Sequence, residues 1–407
     1  MRLGIVGGRL QGTEAVYLAD EAGYVPVLVD QRPGTPASGL AAESYVFDVV
    51  ADPGRMRAVF GSCDAVLPAC EDPETLRFLD GRLRRWGVPL LFHLPSYETS
   101  RSKVRSDRLI TMLDLPRPRP WPDCGLPAVV KPSESSGSEA VSVVWSEEEL
   151  RVAVAALERN GHTPVVQEFV AGPSLSLEVV AARGKVFPLL PTGLEFDLGY
   201  DCRRVTAPAE AAPAVLAALD EAGRRLAHGL GLEGLMDVEV MLRGLEPKVI
   251  EIDARLPSQT PTAVYHCCGV NMVQVLVELM VEGREPQPDL TPKAGVVYQH
   301  VRVADGAIEV VGEHVMTEAR PLARRPGFFG ASDALTDHVD GAAEWVATLI
   351  SRGSDLPAAR SAMADTVSAI AAAFGLERRE ELRPAQSMPT AGGTPGGART
   401  VRTPSRP

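Results

Sequence analysis

The chain has no Cys-x-x-Cys pair among its six cysteines, no zinc-type ligand spacing, and no excess of basic residues. The first two absences exclude a thioredoxin-like redox pair and a structural zinc site, and they leave thiols expected to be reduced, as in a cytoplasmic protein. With 41 Lys and Arg against 53 Asp and Glu, the net charge of -12 argues against a nucleic-acid partner, which calls for a basic face. No run of about 18 apolar residues occurs, so no membrane partner is expected. Met1-Arg-Leu-Gly-Ile-Val6 leads straight into a strand, so no signal peptide is expected. The length of 407 residues exceeds the size at which one core stops growing, so two or three domains are expected.

What the chain does have is acid at strand spacing. Val238-Glu-Val-Met-Leu242 and Lys248-Val-Ile-Glu-Ile-Asp253 are β-branched runs separated by the turn-like segment 243–247, which predicts a hairpin. Side chains alternate along a strand, so Glu251 and Asp253 share one face, opposite Ile250 and Ile252, and Glu239 can join them from across the turn. Inward carboxylates repel one another and lose hydration at a cost of several kcal/mol each unless a cation compensates. Such hard oxygen ligands suit magnesium, which binds through one or two carboxylates plus the phosphates of its substrate. An exposed polar strand face would have the same spacing.

Ala128-Val-Val-Lys-Pro132 is a strand carrying Lys131, and the loop of small residues after it runs to Ser138. Such a loop can turn backbone N–H groups toward a phosphate while the lysine supplies point charge, although an ordinary surface turn has the same composition. It is not a Walker A loop, which needs Gly-x-x-x-x-Gly-Lys-Ser/Thr. Pro164 to Val170 reads as an apolar strand interrupted by Gln167 and Glu168, able to offer backbone groups to an adenine ring that Phe169 and Val170 would wall.

At the N-terminus, Leu3–Val6, a glycine turn, a helical pattern over 14–22 and Val25–Asp30 make a βαβ opening typical of a parallel sheet. A dinucleotide-binding fold is one reading, kept open by Asp30, but its Gly-x-Gly-x-x-Gly loop needs glycine where Arg9 stands. Asp48 with Val49, and Ala65–Pro68 leading to Glu71, place acids at further strand ends, the edge at which ligands bind in such sheets. A helix is predicted over 73–86 and a second, basic helix start at Lys103.

Together, the lysine strand, the Glu168-Phe-Val segment, Asp237-Val-Glu239 and Glu251-Ile-Asp-Ala-Arg255 resemble the ATP-grasp superfamily of carboxylate-amine ligases. Gly7–Gly12, Val27–Asp30, Val66–Pro68, Ser174–Val180 and Ile250–Thr262 further resemble the family in pyrrolysine biosynthesis that joins 3-methyl-D-ornithine to L-lysine, over about residues 1–335. The resemblance implies an α/β ATP-grasp architecture: a Rossmann-like parallel-sheet domain over 1–95, an ATP-grasp domain over 96–292 with a lid at about 116–190, and a C-terminal α+β part over 293–382. A tail over 383–407, rich in Pro, Gly, Thr and Arg, is expected to be disordered.

The same resemblance implies ATP and magnesium, expected as two ions, and small-molecule partners: 3-methyl-D-ornithine or D-ornithine, and L-lysine. A homodimer is compatible with it. It assigns Arg9, Asp30, Asp48, Val49, Lys103, Lys131 and Ser138 to the nucleotide, and Glu239, Glu251 and Asp253 to the metal. Leu10, Gln11 and Glu71 fall to lysine. Ser176, Leu177, Glu178, Asp237, Arg255, Pro257, Ser258, Gln259, Thr260, Pro261 and Thr262 fall to the ornithine-type substrate, Arg255 also acting on the transferring phosphoryl group. Arg9 replaces a lysine of the family, which keeps the charge and changes the donor geometry. The glutamate that often holds ribose falls near Ser174. The implied reaction activates a carboxylate as an acyl phosphate, which a lysine amine then attacks; a carboxylase or a D-alanine-type ligase with the same nucleotide site is the alternative.

Downstream, 296–303 and 307–311 read as a hairpin around Asp305-Gly306, His300 reads as structural, and helical patterning is expected over about 341–374.

Overall fold

The computed structural model of the protein describes residues 1–135 and 140–379, so Ser138 and the tail from 383 lie outside the described residues. The N-terminal part runs β1 (Arg2–Val6), α1 (Leu10–Glu21), β2 (Val25–Asp30), β3 (Glu43–Val46), α2 (Pro53–Phe60), β4 (Ala65–Pro68) and α3 (Pro73–Trp86). Its four strands form a parallel sheet in the order β3-β2-β1-β4. Near-continuous burial of β1, β2 and β4 is what sheets covered on both faces require. The loop after β1 depends on glycine: Gly7 has φ +104°, and a Cβ on Gly12 would sit 2.1 Å from the Gly7 carbonyl oxygen. Helix α3 spans the predicted residues because Asp72 caps the Thr75 N–H, Pro73 starts the helix, and Gly87 ends it in the left-handed conformation.

Helices α4 (Leu94–Ser100) and α5 (Lys103–Met112) lead to a small layer of β5 (Ala128–Pro132), β6 (Ser142–Val144), α6 (Glu147–Arg159) and β7 (Pro164–Glu168). Its three strands pair in the order β6-β5-β7, and Val130, Val144, Leu150 and Leu157 pack its own core. The strands that follow, inside the 116–190 expected for the lid, belong to the large sheet instead.

That sheet is built from β8 (Ser174–Ala182), β9 (Lys185–Pro188), β10 (Thr192–Phe196), β11 (Cys202–Ala207), α7 (Pro213–Leu230), β12 (Gly234–Arg243), β13 (Glu246–Asp253), α8 (Thr260–Cys268) and α9 (Met272–Met280). It continues through β14 (Gly295–Ala304), β15 (Ala307–Val310), α10 (His314–Thr317), β16 (Ala323–Arg324), β17 (Asp333–Thr336), β18 (Trp345–Gly353), α11 (Leu356–Phe374) and β19 (Glu377–Arg378). The main path is β13-β12-β8-β10-β11-β14-β18-β17-β16. Leu177, Val179, Met236, Val238 and Ile252 on one face of β8, β12 and β13 pack against Leu219 and Leu226 of α7. Period two therefore turns the polar residues of those strands to the opposite face.

One expectation is corrected. Residues 345–353, read as helical, form strand β18, and the helix begins only at Leu356. The strand is buried on both faces between β14 and β17, so the alternation that would distinguish it from a buried helix is missing. The predicted 296–311 hairpin forms as β14–β15, turning on Asp305 and Gly306, both at positive φ. His300 is fully buried with Nδ1 3.0 Å from Thr348 Oγ1 on the paired strand, as a structural residue. No single helix among the described residues is long and apolar enough to cross a membrane.

Candidate active site

Three adjacent strands set out the acids in two rows. Strand β12 pairs antiparallel with β13, placing Glu239 opposite Glu251 and Asp237 opposite Asp253. On its other side β12 pairs with β8, placing Glu239 opposite Ser176 and Asp237 opposite Glu178. The rows are thus Ser176–Glu239–Glu251 and Glu178–Asp237–Asp253, all on the face turned away from α7.

Arginine and lysine approach this face from other elements. Arg255, two residues past β13, donates from Nε to Glu71 Oε1 at 2.8 Å, from Nη1 to Asp237 at 3.3 Å and from Nη2 to Asp253 at 3.0 Å. Lys103, at the start of α5, lies 2.7 Å from Glu251 and donates to the Ser135 carbonyl. Lys131 on β5 donates to the Ile250 carbonyl at 3.1 Å. Both lysines of the sequence reading therefore reach β13, one from a helix and one from the small sheet.

Positive charge does not balance the acids. Burial, reinforced by Glu251 and Asp253, pushes Glu239 up to about 8. Burial also raises Asp237 and Asp253 well above the carboxylate range despite Arg255. Glu178, fully buried, is pushed up to about 7 by desolvation, against the pull of the Thr260 and Ser176 hydroxyls. Burial lowers Lys131, and the neighbouring Lys103 adds to that effect against Glu251. For Lys103, burial pulls the ammonium down, but Glu251 outweighs it and the net shift is upward.

No three His, Cys, Asp or Glu side chains converge closely enough to hold an ion among the described residues. Lys103 engages Glu251, and Arg255 engages Asp253. The donor set still suits a divalent cation: Glu239, Glu251 and Asp253 are hard oxygen ligands on paired strands, and Glu239 is raised by burial first and by its acidic neighbours Glu251 and Asp253 next.

A cavity of about 680 Å³, counting its open mouth, lies over the acids. Ser176, Asp237, Glu239, Glu251, Asp253, Arg255, Pro257, Ser258, Gln259 and Thr260 of the sequence reading line it. Leu177 does not, being packed under α7, and Pro261 and Thr262 are buried in the first turn of α8. That turn is held from outside: Glu14 of α1 accepts the Thr262 N–H at 2.6 Å, while Gln259 before it adopts φ +70°.

Among the N-terminal candidates, Gln11 donates to Glu71 at 2.6 Å, so two of the three residues assigned to lysine meet, with Arg255 on the same oxygen. Leu10 packs against the main core. Arg9 pairs with Glu318, and Asp30 accepts the Gly8 N–H at 2.7 Å. The carboxylate of Asp48 closes its own turn onto Val50 and Ala51, and Val49 is in the N-terminal core. Asp30, Asp48 and Val49 are outside the cavity lining.

The adenine segment is less open than its sequence suggests. The Glu168 N–H already bonds to the Arg119 carbonyl, and that of Phe169 to Pro127. The Glu168 carboxylate is tied to Lys248 at 2.8 Å and Arg243 at 2.6 Å, joining β7 to β12 and β13. Gln167 and Val170 are buried, and Phe169 lies beside Trp145 with ring centroids 6.1 Å apart.

Sequence reasoning missed the other wall of the cavity: Leu194, Phe196, Tyr200, Asp201, Cys202 and Val205 from β10, β11 and their connection, and Glu313 before α10. The alternation of Leu194 and Phe196 was a usable strand signal. Nothing local marks Glu313.

A family model described as an ATP-grasp domain matches residues 102–259. The chain is 34% identical over 314 residues to the 3-methyl-D-ornithine–L-lysine ligase of Methanosarcina acetivorans, a match covering 77% of this chain and 83% of that protein. It is 32% identical to the ligase of the same name from Methanosarcina mazei, covering 77% and 81%. Among solved structures, N5-carboxyaminoimidazole ribonucleotide synthetase from Thermus thermophilus aligns with TM-score 0.67 at 21% identity, covering 89% of this chain and 97% of that one. Biotin carboxylase from Campylobacter jejuni aligns with TM-score 0.70 at 13% identity, covering 89% of each. At those identities the solved structures speak to the fold alone, which is the α/β ATP-grasp fold.

Proposed function

We infer the reaction from one premise: this chain belongs to the 3-methyl-D-ornithine–L-lysine ligase family of ATP-grasp enzymes. It is an ATP-dependent, ADP-forming ligase that joins the carboxylate of (3R)-3-methyl-D-ornithine to the side-chain amine of L-lysine, giving the amide precursor of pyrrolysine. The observation that carries this reading is the match over 83% of the Methanosarcina acetivorans ligase. A face crowded with carboxylates supports it, because acids suit a diamine.

In the first step the terminal phosphoryl group of ATP moves to a carboxylate oxygen of the ornithine-type substrate, and ADP leaves. Lys103 and Lys131 offset the charge of the phosphates, and Arg255 faces the transferring group. Glu239, Glu251 and Asp253 would hold magnesium, which supplies electrostatic stabilisation of phosphate oxygens. Asp237 and the Ser258–Thr260 segment hold the ornithine-type substrate, with Glu178 buried opposite Asp237. In the second step the lysine amine attacks the acyl carbon, the carbon–oxygen bond to phosphate breaks, and the amine gives up a proton. Glu71, which accepts from Gln11 and Arg255, is the residue we assign to lysine and the candidate acceptor of that proton. Water must be kept out because the acyl phosphate would hydrolyse. A cytoplasmic setting suits the six unpaired thiols.

Mass spectrometry of products from ATP, magnesium, D-ornithine and L-lysine tests the reading: the amide is expected only when both amino acids are present. ADP release with bicarbonate in place of the amino acids would favour a carboxylase instead.

A further inference from the structure

Among the described residues, the cavity is lined by Asp201, Asp237, Glu239, Glu251, Asp253 and Glu313 but by one cation, Arg255. Arg255 is already committed to Glu71, Asp237 and Asp253. The acids of β12 and β13 are absorbed by the reading above, whereas the two on the opposite wall are not. Asp201 already has a basic partner, since its Oδ2 accepts from both the backbone and the ring of His314. Glu313 is different. Its Oε2 accepts from Ser258 Oγ at 2.7 Å and from Gln259 Nε2, while no hydrogen bond reaches its Oε1 among the described residues. A carboxylate fixed at one oxygen and bare at the other, in a cavity short of positive charge, is arranged to receive a donor from the ligand. Burial raises its pKa, so the negative form is costly without such a donor.

The acyl donor is a diamino acid whose carboxyl group must lie at the Arg255 end, where phosphoryl transfer occurs. Its side-chain ammonium then needs an acid elsewhere in the cavity, and Glu313 is a lining carboxylate whose hydrogen-bond partners among the described residues, Ser258 and Gln259, are both neutral. We propose that Glu313 is a specificity-determining residue that pairs through Oε1 with the side-chain ammonium of the acyl-donor amino acid, its carboxylate oriented by Ser258 and Gln259. This rests on the ligase reading. A charge-assisted hydrogen bond lost from a desolvated site weakens binding by about 10–100-fold.

The test compares D-ornithine with D-norvaline, which has the same chain without the amine, as acyl donors to L-lysine. Glu313→Gln keeps the shape and an amide oxygen for Ser258 and Gln259 but removes the charge. We expect kcat/KM for D-ornithine to fall about 10–100-fold, mainly through KM, with D-norvaline not impaired, the KM of L-lysine unchanged and Tm preserved. Glu313→Asp should recover part of the D-ornithine preference. An equal fall for both donors, an unchanged D-ornithine KM, or a rise confined to L-lysine would overturn the assignment while leaving the ligase reading intact. A wild-type protein that makes no amide from D-ornithine and L-lysine overturns both.

Discussion

The two ends of the β12–β13 hairpin are built from the same strands and handle charge in opposite ways. At the turn end, Lys248 and Arg243 meet Glu168, with the Lys248 and Glu168 side chains only 6% and 9% exposed. Burial there would raise Glu168, but Lys248 and the neighbouring donors outweigh it and hold the carboxyl below its ordinary value. At the far end, Asp237, Glu239, Glu251 and Asp253 outnumber Arg255 and Lys103, and Glu239 rises to about 8. The matched end fastens the small layer to the large sheet. The mismatched end holds repulsion that a bound cation and a cationic substrate would relieve, which is the mark of a functional site rather than a structural one.

The sharpest way to break this contrast is to neutralise the mismatched end. Asp253→Asn and Glu251→Gln should each lower turnover about 10³-fold, roughly 4 kcal/mol, with circular dichroism and Tm preserved. Full activity in both would remove them from the site. Lys248→Met should do the reverse, costing about 3–5 kcal/mol in denaturant unfolding because Glu168 is left buried with less compensation. An unchanged unfolding midpoint would mean that the ion pair contributes nothing.

The two ends should also respond to pH with opposite signs. Glu239 at about 8 and Glu178 at about 7 bind their protons more tightly folded than unfolded, where both have ordinary values near 4.5. Nucleotide-free protein without magnesium should therefore lose stability as pH rises from about 5 to 8. The depressed Glu168 instead contributes stability that disappears only in acid, as pH falls below its unfolded value. Thermal melts of wild type and Glu239→Gln check this, the variant giving the flatter profile; parallel profiles would contradict the assignment. The smallest effect is expected at the edge of the site: Glu71→Ala should raise the KM of L-lysine about tenfold and that of D-ornithine less. The reverse order would exchange the two pockets.

Much of the site was legible because strand periodicity is local. The spacing of Glu251 and Asp253 fixed a shared face, and the turn-like 243–247 segment brought Glu239 to the same end. What the sequence could not reveal depends on contacts between distant segments. Glu168 lies 80 residues from Lys248, and Glu14 lies 248 residues from the turn it caps. Glu313 stands in no periodic pattern and acquires its meaning only when α10 closes against Ser258 and Gln259. The failure at 345–353 has another origin, since a strand enclosed on both faces loses the alternation by which strands are recognised.

Strand β12 is hydrogen-bonded along both edges, to β8 and to β13, so the separations among its acids and those of its neighbours are set by the backbone lattice. Lys103 and Lys131 are delivered by other layers of the molecule. The fold thus makes the negative groups an anvil whose spacing is fixed within one sheet, and brings the lysines to it from separate elements.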